Sequence, residues 1–482
     1  MVLDIELDDQ NIEDPSKENV ELGNKEEEKI KAKPRKRKGS FLRFFLITLL
    51  LVFLGGIGYV IWKGHKISAN VGFKFNPTSL ITTKKPELEK DSQGKHTNVL
   101  LVGVDSRNGS DISNTDSIII ASYSYETNNV QLISIPRDFH VEVDSRTKWF
   151  GRINSVYAKE ENKTKGGGFE GLKRSVSEVT GLEIQYHALV DFKAFEEIID
   201  TLGGVNVNVE NSFTDYQYPS GYKYKTISFK AGPQVMDGKK ALEYARSRHS
   251  MQNNEGTDYA RARRQQKVIV AIQNKISQSD TLKDPKALMN MFSSVVNNIK
   301  ISEFTIKDIQ AALELLNKFE DEQGKSYSFV LDPTVGGGEL VERVIVPSGA
   351  FAIGPREGLG KYDKIKKFVK LAMENPKLYS TNPKVFVYDI GIGYTELSKK
   401  VKELREQFPF ISIIQSGSIL KGEEGVHVYS NNEKMTECSK EFAKKLNTEN
   451  LEKPEFIKSN LSPDGIIILF GKTVSTEETK EE

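Results

Sequence analysis

The sequence predicts an α/β protein, and three features carry that expectation. "NVLLVGVD" (98–105) is a near-continuous apolar run ending in a polar loop, as a strand buried on both faces would be. "SIIIASYSY" and "VQLISIP" follow as β-rich runs, separated by "ETNN", a hairpin signal. Segments with helical spacing come after them, begun by capping residues or stopped by glycine. The chain has 482 residues, enough for two or three domains with sizeable cores.

The first 43 residues are an acidic, aromatic-poor tail followed by the basic run "KIKAKPRKRKG", and read as disordered. "FFLITLLLVFLGGIGYVIW" (44–62) has no charge and is long enough to cross a bilayer core of about 30 Å as a helix. Arg35, Lys36, Arg37, Lys38 and Arg43 precede it, which places the N-terminus in the cytoplasm and residues from about 63 outside the cell membrane. A single-pass, signal-anchored protein is expected, with a polar linker over 63–96. Net charge is +1, so bulk charge makes no case for nucleic acid. The single cysteine, Cys438, excludes an intramolecular disulfide framework.

If the hairpin pairs around 126–129, Asp116 lies close to Arg137, and Asp105 ends the strand before them. Three polar groups then converge at one sheet edge, where open α/β sheets bind ligands. "GFEGLKRSVSEVTG", "VDFKAFEEIIDTLGGV" and "DGKKALEYARSRH" read as helices, as does "TDYARARRQQKVIVAIQNKI", capped by Thr257 or Asp258. In this last helix the apolar stripe Val268, Ile269, Ile272, Ile276 extends back through Arg261, Arg264 and Gln265, while Arg263 and Lys267 face away. From Glu243 to Gln266 the chain uses five arginines and no lysine. Arginine's flat fork grips carboxylate or phosphate oxygens two at a time. Buried arginines need an anion, either an internal carboxylate or a bound phosphate.

The ordered set "LLVGVDSR", "NTDSIII", "ISIPRDF", "RINSVYA", "GGG", "LGGV", "AGPQVMDGKKALEYARSRH" and "DYARARRQQ" resembles the LytR-CpsA-Psr family of cell-wall ligases, over roughly residues 97–280 and more weakly to about 355. The resemblance implies a three-layer α/β/α sandwich outside the membrane. It also implies Mg²⁺-dependent transfer of a glycopolymer, such as a teichoic acid, from a polyprenyl-pyrophosphate carrier to peptidoglycan. It maps Asp105 and Asp116 onto the metal-binding aspartates and Arg137 onto a pyrophosphate-binding arginine. Arg246, Arg248, Arg261, Arg264 and Gln265 map onto the polar substrate pocket, with Arg107 a further pyrophosphate contact. The sequence departs from the family at Asn114, where an arginine is usual. Phosphoryl transfer is mostly positioning and charge neutralisation, which suits these residue types. No general base is named by the sequence, Asp138 being one candidate.

Residues 97–356 are expected as the catalytic domain and 357–382 as a linker with a helix. A smaller α/β domain at 383–474 has a βαβ-βαβ rhythm and resembles the C-terminal domain of many family members, and 475–482 is a tail. "GIIILFGKT" is an apolar strand without the glycine-rich turn of a phosphate loop. No GxSxG or HExxH occurs, so serine or zinc hydrolysis is unsupported. Besides the ligase, two readings remain open: a non-catalytic membrane-anchored binder of wall polymer or its lipid carrier, and a polyprenyl-pyrophosphate hydrolase. Which glycopolymer is carried is not legible.

Overall fold

The computed structural model describes residues 87–472, apart from 106–113, 145–148, 279–298, most of 303–323, 335–337, 347–350, 421 and 463. The tail and the expected membrane span at 44–62 lie outside the described residues. Among those described, no helix is long and apolar enough to cross a membrane.

The chain opens with β1 (His96–Val104), β2 (Thr115–Ser124) and β3 (Val130–Ser134), then a ribbon of β4 (His140–Asp144) and β5 (Trp149–Arg152). Helices α1 (Val156–Lys163) and α2 (Gly167–Thr180) lead to β6 (Tyr186–Asp191), and α3 (Phe192–Thr201) leads to β7 (Val205–Val209). Next come β8 (Phe213–Ser220), β9 (Lys223–Phe229), β10 (Gly232–Met236), α4 (Gly238–Arg246) and α5 (Asp258–Gln278). They are followed by β11 (Ile299–Ile301), β12 (Ser326–Val330), β13 (Val341–Ile345) and β14 (Phe351–Pro355). The last part is α6 (Asp363–Glu374), α7 (Pro376–Thr381), β15 (Lys384–Asp389), α8 (Tyr394–Gln407), β16 (Ser412–Ser418), β17 (Val426–Ser430), α9 (Thr436–Lys445) and β18 (Gly465–Phe470).

The main sheet is six-stranded and mixed, in the order β11-β6-β1-β2-β3-β12. The expected hairpin is there: β2 and β3 pair antiparallel, with Ile119 opposite Ser134. Alternate side chains feed two cores. Val99, Ile119, Ala121 and Leu132 join the core shared with α3, α4, α5 and the strands β7–β9. Leu100, Val102, Ile118 and Ile120 join the core shared with α1 and α2. Between α3 and α4 the backbones are in close contact: a Cβ on Gly238 would lie 2.3 Å from the Glu196 carbonyl oxygen, so only glycine fits there.

Two expected boundaries move. Residues 87–96 begin the folded body, since Leu88 is buried and the Glu89 N–H donates to Tyr186 Oη at 2.9 Å. The segment expected as a linker, 357–382, forms α6 and α7. Ile365, Phe368, Val369, Ala372 and Met373 of α6 are buried in the same core as Phe139 and Phe329 of the main sheet side and Val385 and Ile466 of the C-terminal sheet. An amphipathic helix with that many buried apolar residues is a packing element, not a tether.

The C-terminal strands form their own sheet, ordered β16-β15-β18-β17. β15 is parallel to both neighbours, as a βαβ rhythm predicts. β17 departs from it: the strand pairs with β18 antiparallel despite the intervening helix α9. Cys438 is fully buried in α9.

Phe368 meets Phe329, Tyr379 and Phe410 edge-on, at 5.7–6.3 Å between ring centroids. Phe368→Ala is expected to cost about 3–5 kcal/mol. It should lower a single thermal transition that reports on both sheets by circular dichroism and tyrosine fluorescence. An unchanged melting temperature would restore the linker reading.

Candidate active site

Four elements end at one edge of the main sheet. Val104 pairs with Thr115 across β1 and β2, and with Asp191 across β1 and β6. β3 ends at the same edge because it runs antiparallel to β2. A β-bulge between Gly103 and Val104 shifts the register where Asp105 and Asp116 emerge. Arg137 follows three residues after β3, and its Nη1 donates to Asp116 Oδ1 at 2.8 Å. The convergence expected from the hairpin is therefore present.

The arginine stretch closes over this edge. Arg246, at the end of α4, places Nη2 3.6 Å from Asp105 Oδ2. Its guanidinium lies over the Phe192 ring at 3.9 Å, and its Nη1 donates to Tyr218 Oη at 3.2 Å. Arg261, on the first turn of α5, pairs with Asp258 Oδ1 at 2.9 Å. Burial, with Arg137 and Arg248 nearby, lowers the Arg261 pKa to about 10 although Asp258 and Asp116 oppose this. Burial thus works against the charge of this guanidinium, and its carboxylate neighbours restore part of what is lost.

A second carboxylate pair lies beside these groups. Asp138 is pushed above the usual carboxylate range by burial and by Asp258, against the pull of Arg137 and Arg152. Burial also works against the charge on Asp258, but Arg261 and Arg137 hold its pKa below the usual range. Environments that push two carboxyls apart separate acid from base roles. Arg152 Nε lies 3.2 Å from Asp138 Oδ1, so the β4–β5 ribbon borders the site.

Arg248 is positioned by a residue that the sequence did not single out. Asp215, on β8, is 0% exposed and accepts from Ser247 Oγ at 2.7 Å and from the N–H groups of Arg248 and His249 at 3.1 and 3.2 Å. Burial raises its pKa, yet these hydrogen bonds and that from Gln217 outweigh it, and the net shift is downward.

Arg264 differs from the pocket role expected of it. It is 2% exposed, and its guanidinium donates to three backbone carbonyls: Tyr244 at 2.9 Å, Glu255 at 2.8 Å, and Ser247. It also pairs with the Glu255 carboxylate. These commitments make it a positioning residue, binding α5 to the loop after α4. Gln265 Nε2 reaches the Ala245 carbonyl at 3.3 Å, next to Arg246. Arg263 points outward as its helix position predicts, 51% exposed and 3.3 Å from Asp332. Thr257 is the helix cap, its hydroxyl accepting from the Ala260 N–H at 3.1 Å. Asn114 is exposed at the same edge, and Arg107 lies outside the described residues. A separate groove of about 550 Å³ lies on the outer side of α5, lined by Asn206, Arg263, Lys267 and Ser380 among others, and includes none of the clustered residues.

No group of three or more metal-ligating side chains is placed to hold an ion among the described residues. Asp105 and Asp116 offer hard oxygen donors from two adjoining strand ends. That set fits Mg²⁺, which binds through one or two carboxylates and takes its other ligands from water and phosphate.

Arginines and aspartates thus interleave at one end of the sheet of a mixed α/β protein. The chain belongs to the LytR_cpsA_psr family, whose model matches residues 68–325. That match begins before the described residues and reaches past the helix α5. The polyisoprenyl-teichoic acid–peptidoglycan teichoic acid transferase TagU of Bacillus subtilis (strain 168) is 30% identical over 267 residues, 55% of this chain and 79% of that protein. The protein of the same name from Bacillus licheniformis is 29% identical over 274 residues, 56% and 80% of the two chains. The regulatory protein MsrR of Staphylococcus aureus (strain COL) is 32% identical over 180 residues, 37% and 48% of the two. Among solved structures, B. subtilis TagV aligns with a TM-score of 0.43 at 21% identity, covering 58% of this chain and 98% of that one. The protein gbs0355 of Streptococcus agalactiae aligns at 0.44 and 22%, covering 58% and 89%.

Two outcomes test this assignment of roles. Arg264→Ala is expected to cost about 3–5 kcal/mol in denaturant unfolding, because it strands Glu255 and three carbonyls. Arg263→Ala should change stability by at most about 1 kcal/mol. Equal losses would contradict the split. Asp215, with a folded pKa below its unfolded value, contributes stability that is present above about pH 4 and is lost as pH falls through the folded value. Asp215→Asn should therefore flatten the acid limb of a stability–pH curve, and an unchanged limb would remove Asp215 from the site's supports.

Proposed function

We propose that this protein is a membrane-anchored, extracytoplasmic phosphotransferase that moves an anionic glycopolymer from a polyprenyl-pyrophosphate carrier to peptidoglycan. The observation that carries the reading is the meeting of Asp105, Asp116, Arg137, Arg246 and Arg261 at one sheet edge. The names of the TagU relatives, which specify teichoic acid and peptidoglycan, support the two substrates. The apolar run at 44–62 supports the anchor. The domain plan that goes with it is a three-layer α/β/α catalytic domain and a smaller C-terminal α/β domain, supported by a core on each face of the main sheet.

Asp105 and Asp116 would hold Mg²⁺, which supplies charge neutralisation at the phosphates when bound. The guanidiniums of Arg137 and Arg246, which pair with these carboxylates in the free protein, turn to phosphate oxygens. Arg248 and Arg261 neutralise the rest, and Gln265 holds the backbone beneath Arg246. An acceptor hydroxyl forms the new P–O bond as the bond to polyprenyl phosphate breaks. The hydroxyl proton passes to a base, for which the raised pKa of Asp138 is suited.

A second reading rests on Asn114: without the usual arginine, the site would bind the carrier and not turn it over. The test supplies labelled polyprenyl-pyrophosphate oligosaccharide, Mg²⁺ and peptidoglycan oligomers to the full chain in nanodiscs. Wild type should put label on peptidoglycan, and Asp105→Ala or Arg137→Ala should lower the rate by at least about 100-fold with an unchanged circular dichroism spectrum. Binding without transfer would favour the second reading, and free phosphorylated glycan would favour hydrolysis.

A further inference from the structure

The β8–β9 hairpin has a root inside the site and a tip in solvent. At the root, Asp215 fixes the Arg248 loop and Tyr218 receives the Arg246 guanidinium. At the tip, Ser220 pairs with Lys223 around Gly221 and Tyr222. Gly221 has φ +60°, as the first residue of a tight two-residue hairpin turn requires. At this turn Tyr222 and Tyr224 are 110% and 70% exposed, and Tyr216, nearer the root, is 66% exposed. Single exposed apolar residues are ordinary, but two tyrosines this exposed at one hairpin tip are not. Tyr224 and its partner Pro219 lie on the face opposite Tyr218 and Lys225. From Tyr216 to Lys230 there is no acidic residue, while Lys223, Lys225 and Lys230 are basic. Lys225 is spent on Glu243 of α4, which leaves Lys223 and Lys230 to set the outward charge.

Tyrosine with a wet hydroxyl and an apolar ring belongs at a membrane–water interface, and lysine beside it favours anionic headgroups. We infer that the β8–β9 hairpin docks on the anionic outer surface of the membrane through Tyr222, Lys223 and Tyr224 at its tip, and so sets the height of the arginine cluster above the lipid. This inference rests on the membrane-anchored reading. Tyr218 lies three residues from Gly221, about 10 Å along a strand. Arg246, bonded to Tyr218, is therefore within short reach of a pyrophosphate at the headgroup layer, and the hairpin acts as a depth stop. A soluble anionic polymer is the competing occupant. It would use the lysines but leave the tyrosine rings in water.

The test uses the full chain reconstituted in vesicles of phosphatidylglycerol and phosphatidylcholine. In Y222W, whose site is fully exposed so that folding is not at risk, the introduced indole should be quenched by brominated acyl chains and shielded from acrylamide. The parent, with Trp62 and Trp149, supplies the background. An indole open to acrylamide and untouched by brominated lipid, in vesicles that carry the chain, overturns the docking. A chain that does not float with the vesicles overturns the anchored reading and the docking with it. Neither readout depends on transfer, so loss of the enzymatic reading alone leaves this one standing. Y222S/Y224S should lower transfer from a vesicle-embedded donor about five- to tenfold and leave transfer from a short-chain, water-soluble donor unchanged. Equal losses on the two donors would also overturn the docking.

Discussion

The site depends on one buried guanidinium. Arg264 ties the start of α5 to the end of α4 and to the loop between them, through the carbonyls of Tyr244, Ser247 and Glu255. Arg246 and Arg248 lie on one side of that knot and Arg261 on the other. A buried charge held by four hydrogen bonds fixes the segments it joins, and the spacing of the three outer arginines follows from it. Cation–π contact with Phe213 extends the hold to β8, where Asp215 performs the same task with the opposite sign. One buried cation and one buried anion thus frame the loop that carries Arg248.

The clustered charges at the sheet edge are close to balance. Arg137, Arg246 and Arg261 have Asp116, Asp105 and Asp258 as partners. These pairs are of unequal quality: 2.8 Å for Arg137, and 3.6 Å for Arg246, beyond a good hydrogen bond. The loosest pair is also the one whose arginine rests on an aromatic face, which holds the guanidinium plane without consuming its donors.

Much of this was legible in the chain. The meeting of Asp116 with Arg137 followed from a hairpin signal and a count of residues along two strands. The burial of Arg261 and Arg264, and the exposure of Arg263, followed from helical period. Period could not separate two inward arginines from one another. Whether a buried guanidinium faces a ligand or a ring of carbonyls depends on the loop 247–256, which has no periodicity. Asp215 was invisible for a related reason: apart from the local Gln217 N–H, its partners lie more than thirty residues away, and two of them are backbone N–H groups, which carry no sequence signature. Gln266, which bonds Ser134 and the Phe329 carbonyl, is a third buried polar group of this type. The 357–382 segment was misread because its polar face and its glycines resemble a spacer, while the apolar face of α6 declares itself only against Phe139 and Phe329.

The shared core also sets an order of events during synthesis. Phe139 and Phe329 are covered by Tyr362 and Phe368, which the ribosome adds later. Between Phe139 and Phe368 lie about 230 residues, and at cellular rates of elongation their synthesis lasts roughly 10–50 s. Throughout that time the part of this core that α6 closes stays uncovered, although α1 and α2 can already pack on the first strands. The core beneath the main sheet is therefore completed only after all six of its strands have been made. The helix that seals it belongs to the segment that most resembles a spacer.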